Sequence, residues 1–232
     1  MVGTDSENME VMRTEWSQDE IKAGGKSRFK WSLLTETDKQ TINWAIDTQC
    51  YGLDCDTLNF LEIGTYNGST AWAVKEITEA KGKKINYYGI DTLTHDTVLW
   101  PEAHFVLGDS TKIFYQIPNL PFDILFIDGP HSTTNCMLDF LNFAPKVKVG
   151  GLILFHDASP ASQCKLPFTP EKEAEYRAGG WEIPVYEEFG TAVLIALEKL
   201  GLSTGARTDY ELVSNNWSDE PYGGISIYRK LK

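Results

Sequence analysis

The chain has 232 residues, 42% of them hydrophobic and 23% charged, which is ordinary globular usage and enough for one well-buried domain. Asp plus Glu total 33 against 21 Lys plus Arg, a net charge of −12, which argues against long-range attraction to nucleic acid or to an anionic membrane. No window approaches the roughly 18 uncharged apolar residues of a membrane span, and the opening stretch is polar and acidic, unlike a signal or transit peptide, so a cytoplasmic setting is expected.

Residues 1–28 lack apolar periodicity and read as a mobile N-terminal arm, leaving 29–232 as a single domain. A helix is expected from Thr37, where Ile42, Ala45 and Ile46 fall at spacings of three and four. Thr57–Ile63 reads as a strand running into a loop with Gly64 and Gly68. Ser69 is placed to cap the next helix, whose Thr70, Ala73, Val74 and Ile77 share a face until Lys81-Gly82 ends it. Strands are expected over 85–91 and 104–107. Phe122–Ile127 is a short apolar run of the kind buried in a parallel sheet.

From about Ser132 a helix turns Met137, Phe140, Leu141 and Ala144 inward, and Gly150-Gly151 opens another apolar strand, Leu152–Phe155. Residues 158–185 mix Pro, Gly and charge, as an insertion or substrate lid would. An amphipathic helix follows with Phe189, Val193, Ala196, Leu197 and Leu200 on one stripe. Two late strands, 210–213 and 225–229, flank a turn-rich stretch and suggest an antiparallel hairpin. The four cysteines, Cys50, Cys55, Cys136 and Cys164, form no CxxC pair and no zinc spacing, and read as reduced thiols.

Alternating strands and helices predict an α/β, doubly wound, Rossmann-like and mostly parallel sheet covered on both faces. Its ligand belongs beyond the C-terminal strand ends, near the reversal of strand order. The first strand ends in Glu62-Ile63-Gly64-Thr65-Tyr66-Asn67-Gly68. Small residues there let the chain turn and a ligand approach the backbone. Tyr66 and Ser69 stand where a dinucleotide loop needs its second and third glycines, which disfavours an NAD-dependent oxidoreductase. Asp91, at the end of the second strand, is placed to accept ribose hydroxyls. Asp109 is suited to an adenine amine, and Ser110 either joins it or caps the following turn.

These segments, with Phe126-Ile127-Asp128-Gly129-Pro130-His131 and the run from Gly150 to Asp157, resemble class I S-adenosylmethionine-dependent methyltransferases. The closer resemblance is to the small-molecule O-methyltransferase branch called methyltransferase family 24, over about residues 30–231. It implies a seven-stranded sheet whose last strand is antiparallel. It also implies a cofactor site of Glu62, Gly64, Tyr66, Gly68, Asp91, Asp109, Ser110 and Asp128. Only residues 92–103 join the second and third strands, where the family usually has a fuller helix.

Asp128, His131, His156 and Asp157 make a second constellation. Asp128 and Asp157 end strands expected to be neighbours, about 5 Å apart, so a divalent cation could sit on Asp128, His156 and Asp157. One imidazole among oxygens suits Mn²⁺ better than Mg²⁺. Related metal-assisted enzymes usually carry an acidic residue where this chain has His156. Such an ion would activate a substrate hydroxyl, with His131 and Asp128 as the catalytic pair and His131 taking the proton. Trp100, Trp181 and Tyr186 are candidates for lining a substrate pocket, although such residues are more often core.

The expected reaction is O-methylation of a hydroxyl on a small molecule or sugar, with no nucleic-acid or membrane partner and with a homo-oligomer left open. The alternatives are an N-methyltransferase and a non-catalytic binding or scaffold protein that keeps the fold.

Overall fold

The computed structural model describes residues 34–51, 56–92, 97–130, 132–160, 192–217 and 223–232. The N-terminal arm, His131, Cys55, Cys164, Trp181, Tyr186, Phe189 and most of the 158–185 stretch lie outside the described residues.

Helix α1 (Glu36–Tyr51) precedes β1 (Thr57–Ile63), α2 (Ser69–Ala80), β2 (Lys84–Asp91) and β3 (His104–Leu107). A short helix, α3 (Ser110–Ile113), leads to β4 (Phe122–Ile127), α4 (Thr133–Phe143), β5 (Val147–Phe155), α5 (Ala192–Lys199), β6 (Tyr210–Asn216) and β7 (Ile225–Lys230). The strands form one sheet in the order β3-β2-β1-β4-β5-β7-β6. The first five are mutually parallel, and β7 runs antiparallel to both β5 and β6. This is a doubly wound, Rossmann-like sheet, with the strand order reversing between β1 and β4.

The apolar runs explain the layers. Along β4, Ile124 and Phe126 face the core beneath α1 and α2, where Ile42, Ile46, Phe60, Val74 and Tyr87 pack. Leu125 and Ile127 face the opposite core with Phe140, Phe143, Phe155, Ala196 and Leu197 of α4, β5 and α5. Burial on both faces is why β4 reads as an uninterrupted apolar strand.

Several local expectations change. The Gly150-Gly151 pair lies inside β5, which begins three residues earlier at Val147. Leu141 is 44% exposed, and Cys136, Asp139 and Phe143 take the inward positions of α4 beside Phe140. Ser69 is the first residue of α2 rather than its cap, and the Asn67 side chain accepts from the Ser69 amide at 3.0 Å. Trp100 is buried against Trp72 and Tyr87, so it belongs to the core. Ala158 and Ser159 are buried as well, with the Ala158 amide bonded to Gly224 O at 3.1 Å. No helix among the described residues is long and apolar enough to cross a membrane.

Candidate active site at the C-terminal sheet edge

The parallel ladder continues one step past the strand ends and sets four loops side by side. Gly64 N bonds Ile90 O at 2.9 Å, Asp128 N bonds Ile63 O at 2.8 Å, His156 N bonds Ile127 O at 3.0 Å, and Gly108 N bonds Asp91 O at 2.7 Å. Asp91, Gly64, Asp128 and His156 therefore stand in neighbouring positions along one edge, at the reversal of strand order where such sheets bind ligands.

The β1–α2 loop is tightly fixed. Gly64 has φ +90, and a Cβ there would lie 1.9 Å from the carbonyl oxygen of Asp128. The glycine is thus required by the close approach of the β4 loop as well as by its left-handed backbone. Tyr66 also adopts positive φ, at 49°, and its amide donates to Asp91 Oδ2 at 2.7 Å. Residues 97–100, within the short connection between β2 and β3, cross this loop. The Thr97 hydroxyl donates to Tyr66 O, and Trp72 Nε1 donates to Val98 O at 2.8 Å.

Glu62 lies beneath the loop, fully buried. The Tyr87 hydroxyl donates to its Oε2, while Oε1 has no partner among the described residues. Burial first, and then the nearby Asp128 and Asp91, push its carboxyl up to about 8 against the lowering effects of Tyr87 and His156. A buried carboxyl with an orphaned oxygen suits a cationic ligand group, so the residues here fit the cofactor implied by the sequence.

Asp109, rather than Ser110, is the residue that caps the turn after β3. Asp109 caps α3, accepting from Thr111 N at 3.0 Å, and pairs with Lys112 at 2.8 Å. The Ser110 hydroxyl turns inward and donates to Asp139 Oδ1 at 2.6 Å. Asp139 is buried with Oδ2 unpartnered, and burial raises its carboxyl to about 7.

At the other end of the row, Asp128, His156 and Asp157 each offer one ligand atom, all within 4.8 Å of one another. His156 Nδ1 lies 2.8 Å from Asp128 Oδ1 and 3.7 Å from Asp157 Oδ2. Asp157 reaches this position with φ +53, a left-handed backbone that Asp tolerates better than most residues. Burial opposes charge on His156, but Asp128 and Asp157, with the bonds to Asp128 and Asp38, hold its pKa well above the usual histidine range.

Neighbouring ligands of a six-coordinate ion with bonds near 2.1 Å are about 3 Å apart, so this donor set fits a divalent cation. An imidazole nitrogen favours ions such as Mn²⁺ or Zn²⁺ over Mg²⁺.

Asp38 was not singled out from the sequence. Its carboxylate is fully buried and accepts from Thr35 N at 2.9 Å, Thr35 Oγ1 at 2.7 Å and Gly224 N at 2.8 Å, with His156 Nε2 at 3.3 Å. Burial alone would raise its pKa, but the His156 and Thr35 bonds outweigh it and lower the net value. The available signal was Thr35-x-x-Asp38, the spacing of a helix-capping box. The pair does form one, since Asp38 N also donates to Thr35 Oγ1 at 3.1 Å.

Residues 61–158 match the family Methyltransf_24, described as a methyltransferase domain. That segment, which carries the row of loops at the sheet edge, is similar to the methyltransferase domain of this family. No curated protein matches the sequence significantly. Among solved structures, the MycE methyltransferase of the mycinamycin pathway, in complex with Mg, SAH and mycinamycin VI, is 17% identical with a TM-score of 0.57. That match covers 100% of this chain and 64% of MycE, so the chain spans under two thirds of that methyltransferase.

The O-methyltransferase TomG from Streptomyces achromogenes, in complex with SAM, is 12% identical with a TM-score of 0.57, covering 97% of this chain and 95% of TomG. An O-methyltransferase from Bacillus cereus, in complex with SAH, is 14% identical with a TM-score of 0.54, covering 90% and 92%. At these identities the likeness is one of fold.

Proposed function

We propose that this methyltransferase domain transfers a methyl group from S-adenosylmethionine to a hydroxyl of a small molecule or sugar, with a divalent cation assisting. The observation that carries the reading is the row of loops at one sheet edge. The orphaned Glu62 carboxyl and Asp91 stand at the glycine loop, and the Asp128–His156–Asp157 cluster stands beside them. Support for a small-molecule acceptor comes from MycE, whose structure holds Mg, SAH and mycinamycin VI.

In this reading Glu62, Gly64, Tyr66, Gly68 and Asp91 surround the methionine and ribose parts of the cofactor. Asp109 and Ser110 lie towards the adenine. The cofactor, when bound, supplies an electrophilic methyl on a sulfonium. The chain's own contribution is to align the acceptor with that methyl and exclude water. Asp128, His156 and Asp157 would hold the cation, which when bound makes an acceptor hydroxyl more acidic. His131, three residues past Asp128, is the proposed proton acceptor.

The test is calorimetric titration with S-adenosylhomocysteine, with and without Mn²⁺ or Mg²⁺, followed by a screen of hydroxylated small molecules. Micromolar binding abolished by Asp91→Ala supports the cofactor site. Metal-dependent turnover, lost in His131→Ala with cofactor affinity retained, supports the rest. Absence of binding under every metal condition refutes the reading, and metal-independent transfer to an amine would replace it with N-methylation.

A further inference from the structure

We infer that Asp38 is a positioning residue for the cation site, holding the His156 ring so that Nε2 faces Asp38 and Nδ1 faces Asp128 and Asp157. The inference rests on the proposed cation site and adds to it a residue from a helix remote in sequence.

An imidazole has two ring nitrogens, and the hydrogen bond made by one decides which of them is available as a ligand. Here the two nitrogens face different groups. Nδ1 points into the cluster, 2.8 Å from Asp128 Oδ1 and 3.7 Å from Asp157 Oδ2. Nε2 points away from it, 3.3 Å from Asp38 Oδ2.

Asp38 is built to accept. It has no solvent exposure, and its carboxylate receives two donors from Thr35 and the Gly224 amide. A carboxylate whose two oxygens are so supplied with donors is held in place, and its contact with Nε2 leaves Nδ1 turned towards the cluster. A carboxylate behind a ligating histidine is the arrangement by which an outer group orients a metal ligand and raises its basicity.

The closing hairpin joins the same frame. Consecutive amides at the start of β7 serve the two carboxylates: Gly223 N donates to Asp157 Oδ1 at 2.6 Å and Gly224 N donates to Asp38 Oδ1 at 2.8 Å. A Cβ on Gly223 would lie 2.6 Å from Asp38 Oδ2, and its φ is +88. The backbone therefore approaches Asp38 as closely as only glycine allows. The helix before the sheet and the strand that ends it thus converge on His156 and Asp157, the residues that face Asp128.

The experiment is Mn²⁺ binding to the full-length protein and to Asp38→Asn, followed by the EPR signal of the unbound ion, with circular dichroism to check that the variant is folded. Asp38→Asn should weaken Mn²⁺ affinity roughly 10- to 100-fold. Equal affinity in the folded variant overturns the positioning role.

Because loss of a buried carboxylate can unfold the chain, a second measurement uses the unmutated protein loaded with Zn²⁺. Long-range ¹H–¹⁵N correlation spectra of His156, assigned against His156→Gln, should show a protonated Nε2 and a metal-bound Nδ1. A metal-bound Nε2 overturns the inference even where Mn²⁺ binds. Failure of the unmutated protein to bind either ion removes the cation site itself, an outcome distinct from the other two.

Discussion

Cofactor binding at neutral pH should release a proton from Glu62. The carboxyl is fully buried, one oxygen is unpartnered, and burial with the nearby Asp128 and Asp91 raises it to about 8. At pH 7 such a group is ~90% protonated. The ammonium of S-adenosylhomocysteine placed about 4 Å away would favour the carboxylate by ~4 kcal/mol at an effective dielectric of 20, which returns the group to about pH 5.

Binding should therefore release ~0.9 proton at pH 7, about 0.5 at pH 8 and ~0.1 at pH 9. Calorimetric titration in buffers of different ionisation enthalpy reads that number as a slope. Glu62→Gln should abolish the slope. Tyr87→Phe removes the bond that lowers the group and should move the release towards higher pH. A buffer-independent binding enthalpy at pH 7 in the unmutated protein would refute the reasoning, because either the carboxyl is already ionised or no cationic group reaches it.

Asp139 makes a stability prediction. Its carboxyl is raised by burial from 3.8 to about 7, so between those values the folded state keeps a proton that the unfolded chain gives up. Stability should fall as pH rises through that window, by at most ~4 kcal/mol, and Asp139→Asn should flatten the slope in urea titrations at pH 5 and 7. Gly64→Ala and Gly82→Ala separate clash from backbone strain: both have positive φ, but only the first Cβ meets an atom, at 1.9 Å. Gly82→Ala should cost about 1 kcal/mol and Gly64→Ala at least ~3 kcal/mol, and equal costs would show that the β4 loop does not press on Gly64. Asp109→Asn keeps a good capping residue, so its melting temperature should hold while S-adenosylhomocysteine affinity falls; unchanged affinity would reduce Asp109 to a cap.

β4 was legible because its burial is two-sided. Phe122–Ile127 is apolar at five of its six positions, and its single Asp123 is buried with an ion pair to Lys148 and a bond from Asn59 N. Strand ends followed from glycines and acidic residues, which fixed Gly64, Asp91 and Asp128 on one edge once the parallel order was known. Side-chain pairings across long separations were not legible. Asp38 and His156 are 118 positions apart, and no local periodicity links a helix-capping box to the end of a fifth strand. Leu141 was misplaced for a related reason: the 3.6-residue period allows either neighbour of Phe140 inward, and packing selected Asp139, which bonds Ser110. The span 92–103 was legible as short, but the crossing of residues 97–100 over Tyr66 was not, because the bonds that fix it, from Thr97 to Tyr66 O and from Trp72 to Val98 O, end on backbone atoms that no sequence pattern marks.

The charge at this edge joins the two halves of the proposal. Asp128, Asp157 and Glu62 lie near His156, with Asp38 behind it, and Asp91 and Asp128 lie near Glu62. Carboxylates gathered this closely repel one another unless cations lie among them. Among the described residues at the cluster, His156 is the partner that bridges two of them, through Nδ1 to Asp128 and Nε2 to Asp38. Glu62 has no such partner and stays protonated. A cationic cofactor answers the first imbalance, near Glu62 and Asp91, and a divalent ion answers the second, at Asp128 and Asp157. The two occupants relieve different carboxylates, so their binding need not be mutually exclusive, and each should bring the other's site closer to ionisation balance. Titrating S-adenosylhomocysteine in the presence of saturating Mn²⁺ should therefore give an affinity equal to or higher than in its absence. A lower affinity would mean that the ion and the cofactor's cationic groups compete for the same oxygens, and the assignment of Asp128 to the ion would fail.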